Sequence, residues 1–397
     1  MMIPERPSLE RRVLGALDGS TGNGPRIPVI LGGCGTGRTS LLLRLRDLIG
    51  RSQSQYVDIE RVATTPERFL HALRDSSPFP THPHAQQATQ PGAREAFDAA
   101  LAFLDTARAP GTTPATFLLD EFLELRTFES FPGLRTVLRD LIGVLAASGN
   151  RFVLTSRYAT RAHRLLRDAP SQFEMIHVAP LSADEVRATL PGAHHDDHPR
   201  GTSASQDDFD RQRDDLARLV QALSDGRPAY ARAIAEAATG MGPRGEADPV
   251  SGLGALLSPG GPLAQSCRFC YELRLHRARG YGALKAILEV LAAEEPLTLT
   301  EIAQRLRRTP GSTKDYLSWL EDVDLIVSRQ KRYSFADPML RLWVRLHCRP
   351  VPPSDEDVSR ELHEYVLSRL PQTGEPALAL AAGQTGREKN WGIIEID

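Results

Sequence analysis

The sequence predicts a mixed α/β fold: a five-strand parallel sheet covered by helices, then a helical lid, then a winged helix-turn-helix. Three observations predict it. Strand-like runs alternate with helix-length segments up to about residue 180, the pattern of parallel strands joined by helical crossovers. Strand signals then stop and helical segments follow. Last comes a run of three helices and a hairpin, the layout of a winged helix.

The elements follow in order. Residues 27–31, IPVIL, read as the first strand, and 39–49 as its helix. Residues 54–60 are the second strand; the next helix opens with Thr65 as N-cap and Pro66 at its first position. A Pro/His/Gln-rich loop over 77–92 precedes a helix over 93–107. Residues 115–122, 151–156 and 173–178 are strands three to five, with a helix over 131–148 between the first two. The core thus occupies 1–180. The lid occupies 181–240: Ser182 N-caps a helix with Glu185 at the capping-box position, and helices over 209–224 and 228–238 follow a polar loop at 191–207. Residues 241–263, rich in Gly, Pro and Ser, read as a linker. The winged-helix domain spans 264–350, with helices over 281–293 and 312–323, a short helix capped by Thr300 between them, and a hairpin over 325–335. A C-terminal helix and tail complete the chain over 351–397.

Composition narrows the function classes. A net charge of -2 over 397 residues gives no global drive toward nucleic acid or anionic membrane. No run approaches the roughly 18 apolar residues of a membrane span, and MMIPERPSLERR lacks an apolar signal core. Cysteines 34, 267, 270 and 348 are too few for a disulfide framework. A reducing cytoplasm is therefore expected. Cys267 and Cys270 form one C-x-x-C without a second ligand pair, which reads as two small residues on one helix face. The cluster HHDDH at 194–198 lies among polar and turn residues and reads as a solvated loop.

Chemistry concentrates in four motifs. Residues 28–43 read PVILGGCGTGRTSLLL, a strand, a glycine loop and a helix start. Polyphosphate needs backbone N–H groups pointing inward and a positive helix end. Gly32, Gly33, Cys34, Gly35, Thr36, Gly37, Arg38, Thr39 and Ser40 are the expected cradle for ATP, with the Thr39 hydroxyl a ligand for Mg2+. FLLDE ends the third strand in two acids: Asp120 is expected to hold Mg2+ through water, and Glu121 to polarise the attacking water. VLTSR ends the fourth strand, where Thr155 or Ser156 could position water and Arg157 could sense phosphate; an ordinary surface arginine is as good a reading of that position. DGRP at 225–228 reads first as helix punctuation.

The order of these motifs, with APLSADE at 179–185 and YSFADPMLRLWVRL at 333–346, resembles the STAND class of P-loop ATPases, in particular its archaeal-type and bacterial members. The resemblance covers roughly residues 3–350. It implies an ASCE-type P-loop core, Pro228 packed on adenine, Arg157 reading the γ-phosphate and the segment around Arg6 near the base. Many relatives continue into a nuclease-like domain; none is expected before Asp397.

One position departs from the pattern. Arg38 stands where a lysine is usual. Arginine is longer and forked, so it holds phosphate bidentately but aims its charge differently. Only four of the 48 Lys and Arg residues are lysine (285, 314, 331 and 389), so arginine here follows the bias of the whole chain. With Asp120 and Glu121 both present, the expectation is nucleotide binding with slow hydrolysis. The winged helix carries Arg307, Arg308, Lys314, Arg329, Lys331 and Arg332, which suit phosphate contacts, beside Asp315, Glu321 and Asp322, which repel them. Three functions stay open: an ATP-driven switch that exposes a protein partner surface or self-associates, an ATP-regulated protein that binds DNA through residues 300–335, and a nucleotide-locked scaffold with negligible turnover.

Overall fold

The computed structural model describes residues 6–20, 24–80, 92–190, 203–240, 242, 247–278 and 280–370. The HHDDH cluster and the tail over 371–397 lie outside them. Five parallel strands form the central sheet: β1 (Ile27–Leu31), β2 (Ser54–Asp58), β3 (Thr116–Asp120), β4 (Arg151–Ser156) and β5 (Phe173–His177), in the order β2-β3-β4-β1-β5. Strands β1 and β3 are buried at every residue. This is why they read as continuous apolar runs rather than alternating ones.

Helices cover both faces. On one, α1 (Pro7–Asp18) and α2 (Arg38–Ile49) pack Val13, Leu17, Leu42 and Leu45 on Ile30, Leu118 and Val153. A short α3 (Ile59–Val62) follows β2, so the second strand stops two residues before the expected end, where the Asp58 carboxylate accepts from the Arg61 N–H as the α3 N-cap. On the other face α4 (Pro66–Asp75), α5 (Ala93–Thr106) and α6 (Val137–Ala147) bury an aromatic cluster. Phe117 and Phe152 stack at 5.6 Å between ring centres, and Phe79 and Phe103 meet Phe117 edge-on. Replacing Phe117 with alanine is expected to cost about 3–5 kcal/mol, measured as a lower urea midpoint at unchanged slope.

Helix α7 (Ala159–Leu166) links β4 to β5, and after β5 the chain becomes helical: α8 (Ala183–Thr189), α9 (Ser203–Ser224), α10 (Pro228–Ala238), α11 (Pro249–Leu257) and α12 (Pro262–His276). Ser182 and Glu185 form the expected capping box. The expected linker at 241–263 instead contains α11. Its glycines serve close packing: a Cβ on Gly252 would lie 2.8 Å from the Ala238 backbone nitrogen, so α11 presses on α10 where only glycine fits. Composition alone could not separate that use of glycine from flexibility.

Then come α13 (Tyr281–Ala293), β6 (Leu297–Thr298), α14 (Leu299–Arg305), α15 (Pro310–Asp322), β7 (Ile326–Arg329) and β8 (Arg332–Phe335), with β6-β8-β7 forming a small antiparallel sheet. The N-cap of α14 is Thr298, not Thr300. Its hydroxyl accepts from the Glu301 N–H, and Glu301 accepts from the Thr298 N–H at 2.6 Å. Helices α16 (Pro338–His347) and α17 (Asp355–Leu367) end the described chain. Asp337 caps α16, and Trp343 packs on Tyr271 of α12 at 5.2 Å. No helix among the described residues is long and apolar enough to cross a membrane.

Candidate nucleotide site

Strand ends converge on one edge of the sheet. Pairing sets Leu31 beside Ser156 and Asp58 beside Asp120, which gathers the segments that follow β1 to β4.

The loop after β1 curls directly into α2. Gly37 is its N-cap at φ +86, the left-handed region that glycine enters at little cost. The helix starts at Arg38, one residue earlier than expected, and no side chain caps it. Its first N–H groups are therefore directed at the loop, where an anion satisfies them. Thr36 donates its hydroxyl to the Gly33 carbonyl at 2.9 Å. A Cβ on Gly33 would sit 3.0 Å from Arg227 Nη1, so glycine there admits that arginine.

Asp120 ends β3 in a net of hydroxyls. Its Oδ2 accepts from Thr39 at 2.6 Å and from Tyr56 at 3.0 Å, and its Oδ1 accepts from Thr155. Burial first, then the Asp120 charge, push the Tyr56 hydroxyl above its ordinary range, so it stays a donor. The oxygens of Thr39 and Asp120 are hard donors of the kind Mg2+ prefers. Among the described residues no three His, Cys, Asp or Glu side chains form a separate metal cluster.

Glu121 is clamped. Its backbone sits at φ +55, a strained conformation for a non-glycine residue, and its N–H donates to Thr155 Oγ1 at 3.0 Å. Oε1 accepts from Arg38 Nη2 and has Arg157 Nε at 3.1 Å; Oε2 accepts from the Arg157 N–H at 3.0 Å. Arg157 also pairs with Glu60, and Arg38 Nη1 donates to the Gly33 carbonyl at 3.0 Å. Burial alone would raise the Glu121 pKa; the Arg38 and Arg157 charges outweigh it and hold the carboxyl below its usual 4.5. A depressed folded-state pKa stabilises the fold fully above the unfolded value and is lost as pH falls through the folded one. Stability is therefore expected to decline as pH drops below 4.5, with a shallower decline in Glu121→Gln, measured by urea unfolding across acid pH.

The sequence-predicted residues are thus largely brought together. Gly32 to Ser40, Asp120, Glu121 and Arg157 surround one edge. Thr155 faces the site, whereas Ser156 turns its hydroxyl to the Tyr158 N–H. The Pro228 ring lies 3.6 Å from where a Gly37 Cβ would be. Arg6 donates to the Ala179 carbonyl at 2.5 Å, beyond the end of β5.

Sequence reasoning missed four residues. Tyr56 and Glu60 face Asp120 and Arg157. Arg227 donates to the Cys34 carbonyl and the Ala336 carbonyl, both at 3.0 Å, and pairs with Asp337 at 2.9 Å. Arg274 of α12 donates to Cys34 Sγ at 3.2 Å and to the Asp324 carbonyl at 2.8 Å. Arg227 adjoins Pro228 and could have been found through it; nothing local marks Arg274.

A strand carrying Thr155 lies between the strand that feeds the glycine loop and the one that ends in Asp120. The fold is that of a P-loop ATPase. The Walker-type ATPase paby2304 of Pyrococcus abyssi is similar to this chain at a TM-score of 0.60 and 17% identity, over 86% of this chain and 96% of that one. The ORC1 protein of Aeropyrum pernix, solved with DNA, superposes at a TM-score of 0.42 and 16% identity, over 93% and 95% of the two chains. Cdc6p from Pyrobaculum aerophilum does so at 0.40 and 14%, over 93% and 97%. No protein-family model matches the chain, and neither does any curated protein.

The P-loop suits polyphosphate on its own geometry. Besides the uncapped start of α2, the Nε–H of Arg38 is buried without a hydrogen-bond acceptor among the described residues. A buried unmet donor costs on the order of 1–3 kcal/mol, which an anion in the loop would recover.

Proposed function

We propose that the chain is an ATP-binding, slowly hydrolysing switch of the STAND class. Its nucleotide state would reposition a winged helix, formed within 264–350, and so control partner binding or self-association. One observation carries this reading. Arg227 and Arg274 each bond at once to Cys34 of the P-loop and to the C-terminal region, at Ala336 and Asp324 respectively. A loop that rearranges around phosphate must disturb both ties.

The charges say how. A phosphate anion competes with Glu121 for Arg38, because one guanidinium cannot satisfy both in full. Glu121 with both oxygens engaged cannot orient a water, so it becomes a base only once the arginines turn to the nucleotide. Thr39 and Asp120 would hold Mg2+, which neutralises phosphate charge when bound. Slow turnover follows from a base that is released rather than preset. The other side of the coupling is the contact of α7 with the end of α15 and the turn after it: Arg164 meets Asp322 at 2.7 Å and the Thr160 hydroxyl donates to Asp324 at 2.9 Å. A displaced winged helix would break these pairs and uncover that face.

Hydrogen exchange and mass in solution, with and without ATP and Mg2+, test the switch. Nucleotide is expected to speed exchange over 326–346, and Arg227→Ala to show the faster exchange without nucleotide. Bound ATP with unchanged exchange and unchanged mass would leave only a nucleotide-locked scaffold.

A second reading has its own support. Arg307, Arg308, Lys314, Arg329, Lys331 and Arg332 are all exposed. Asp322, an acid that would oppose DNA, is spent on Arg164. Duplex affinity that falls steeply with salt, and is lost in an Arg307/Arg308 double alanine variant, would favour this reading.

A further inference from the structure

A cysteine and an arginine of α12 lie at the P-loop, which carries a cysteine of its own. Cys34 lies in the glycine turn, and Cys270 lies one helical turn before Arg274 on α12. Arg274 donates to Cys34 Sγ at 3.2 Å, and Cys270, four residues earlier on the same helix, is the neighbour that most perturbs that thiol. Both cysteines are half-buried, whereas Cys267 is 1% exposed. All four cysteines are free.

The electrostatics match a reactive pair. The neighbouring Cys270 thiol, with the charges of Arg274, Arg157 and Arg38, outweighs burial and holds Cys34 well below the ordinary thiol range. The neighbouring Cys34, then burial, push Cys270 up. A thiolate among cations with a thiol beside it is the arrangement of redox-sensing cysteines.

We propose that Cys34 and Cys270 form a peroxide-sensitive pair whose disulfide ties the P-loop to α12 and closes the nucleotide site. The Cys34 thiolate attacks one oxygen of hydrogen peroxide; the O–O bond breaks, and the departing hydroxide takes up a proton to leave as water. The resulting sulfenic acid is neutral, which removes the charge that kept Cys270 protonated. Cys270 then attacks the sulfenic sulfur; the S–O bond breaks, and hydroxide leaves with the Cys270 proton as a second water. Two thiols lose two electrons in all, and peroxide gains them. The disulfide fixes the loop in its phosphate-free shape, while Arg227 still holds the Cys34 carbonyl from the other side.

The closure, though not the cross-link, rests on the ATP reading. The full chain is treated with peroxide, blocked with N-ethylmaleimide and mapped by mass spectrometry without reduction. A Cys34–Cys270 cross-linked peptide is expected, removed by dithiothreitol and absent from Cys270→Ser. ATP binding heat is expected to be lost on oxidation, to return on reduction, and to survive peroxide in Cys270→Ser. Cross-links between other cysteines, sulfinic or sulfonic Cys34 with Cys270 free, or a cross-linked protein that binds ATP as before would overturn the proposal. A cross-link in a protein that binds no ATP even when untreated keeps the thiol pair and removes the ATP reading instead.

Discussion

Glu121→Gln is expected to slow ATP hydrolysis about 10²–10⁴-fold, the usual worth of a positioned general base, while nucleotide still binds. The same change should weaken the nucleotide-free protein. Arg38 and Glu121 are only 8% and 6% exposed at their side chains, so a neutral glutamine leaves Arg38 a buried cation without its carboxylate. Breaking a buried pair from one side costs about 3–5 kcal/mol. Phosphate can take the place of the lost carboxylate, so ATP with Mg2+ should raise the melting temperature more in Glu121→Gln than in the wild type. Calorimetry with a phosphate-release assay reads both effects. Equal turnover in the two proteins would remove Glu121 as the base; equal nucleotide-induced shifts would remove the exchange of Arg38 between Glu121 and phosphate.

Arg38→Ala is expected to weaken ATP binding about 100-fold, taking roughly 3 kcal/mol for one charge-assisted phosphate contact in a dry site. Two effects act in the same direction here. The lost cation removes the contact, and it also frees Glu121 from one of its two arginine partners, which adds negative charge near the phosphates. Both weaken binding, so the sign is secure. Arg38→Lys separates them: a lysine keeps the charge but cannot bond to the Gly33 carbonyl and Glu121 together as the fork does. Its affinity should lie between wild type and alanine, and its turnover should exceed the wild type if the clamp on Glu121 limits hydrolysis. Titration calorimetry of the three proteins decides this, and an alanine variant that binds like the wild type would place Arg38 outside the site.

The legible part of the fold was the part with local grammar. Ser182 with Glu185, and Thr65 with Pro66, mark helix starts within four residues, and both are found. The Thr300 reading failed because two threonines stand at the start of α14, at 298 and 300, and only the return of Glu301 to Thr298 chooses between them. Glycine was read well at Gly37, where the turn demands it, and poorly at Gly252, where a neighbouring helix demands it.

The sequence by itself determined the parallel α/β core, the glycine loop and the acids that end β3, because strand period, helix caps and loop glycines act over a few residues. It also marked Arg38 as the residue to expect at the phosphates. Only the tertiary structure decided what Arg38 touches, that Glu121 is held by two arginines, and that Arg227 and Arg274 join the P-loop to the C-terminal region. Those pairs are 83, 193 and 240 residues apart in the chain. No periodicity spans such distances; packing of the sheet and the helices that follow it brings the charges together, and burial gives each pairing its strength.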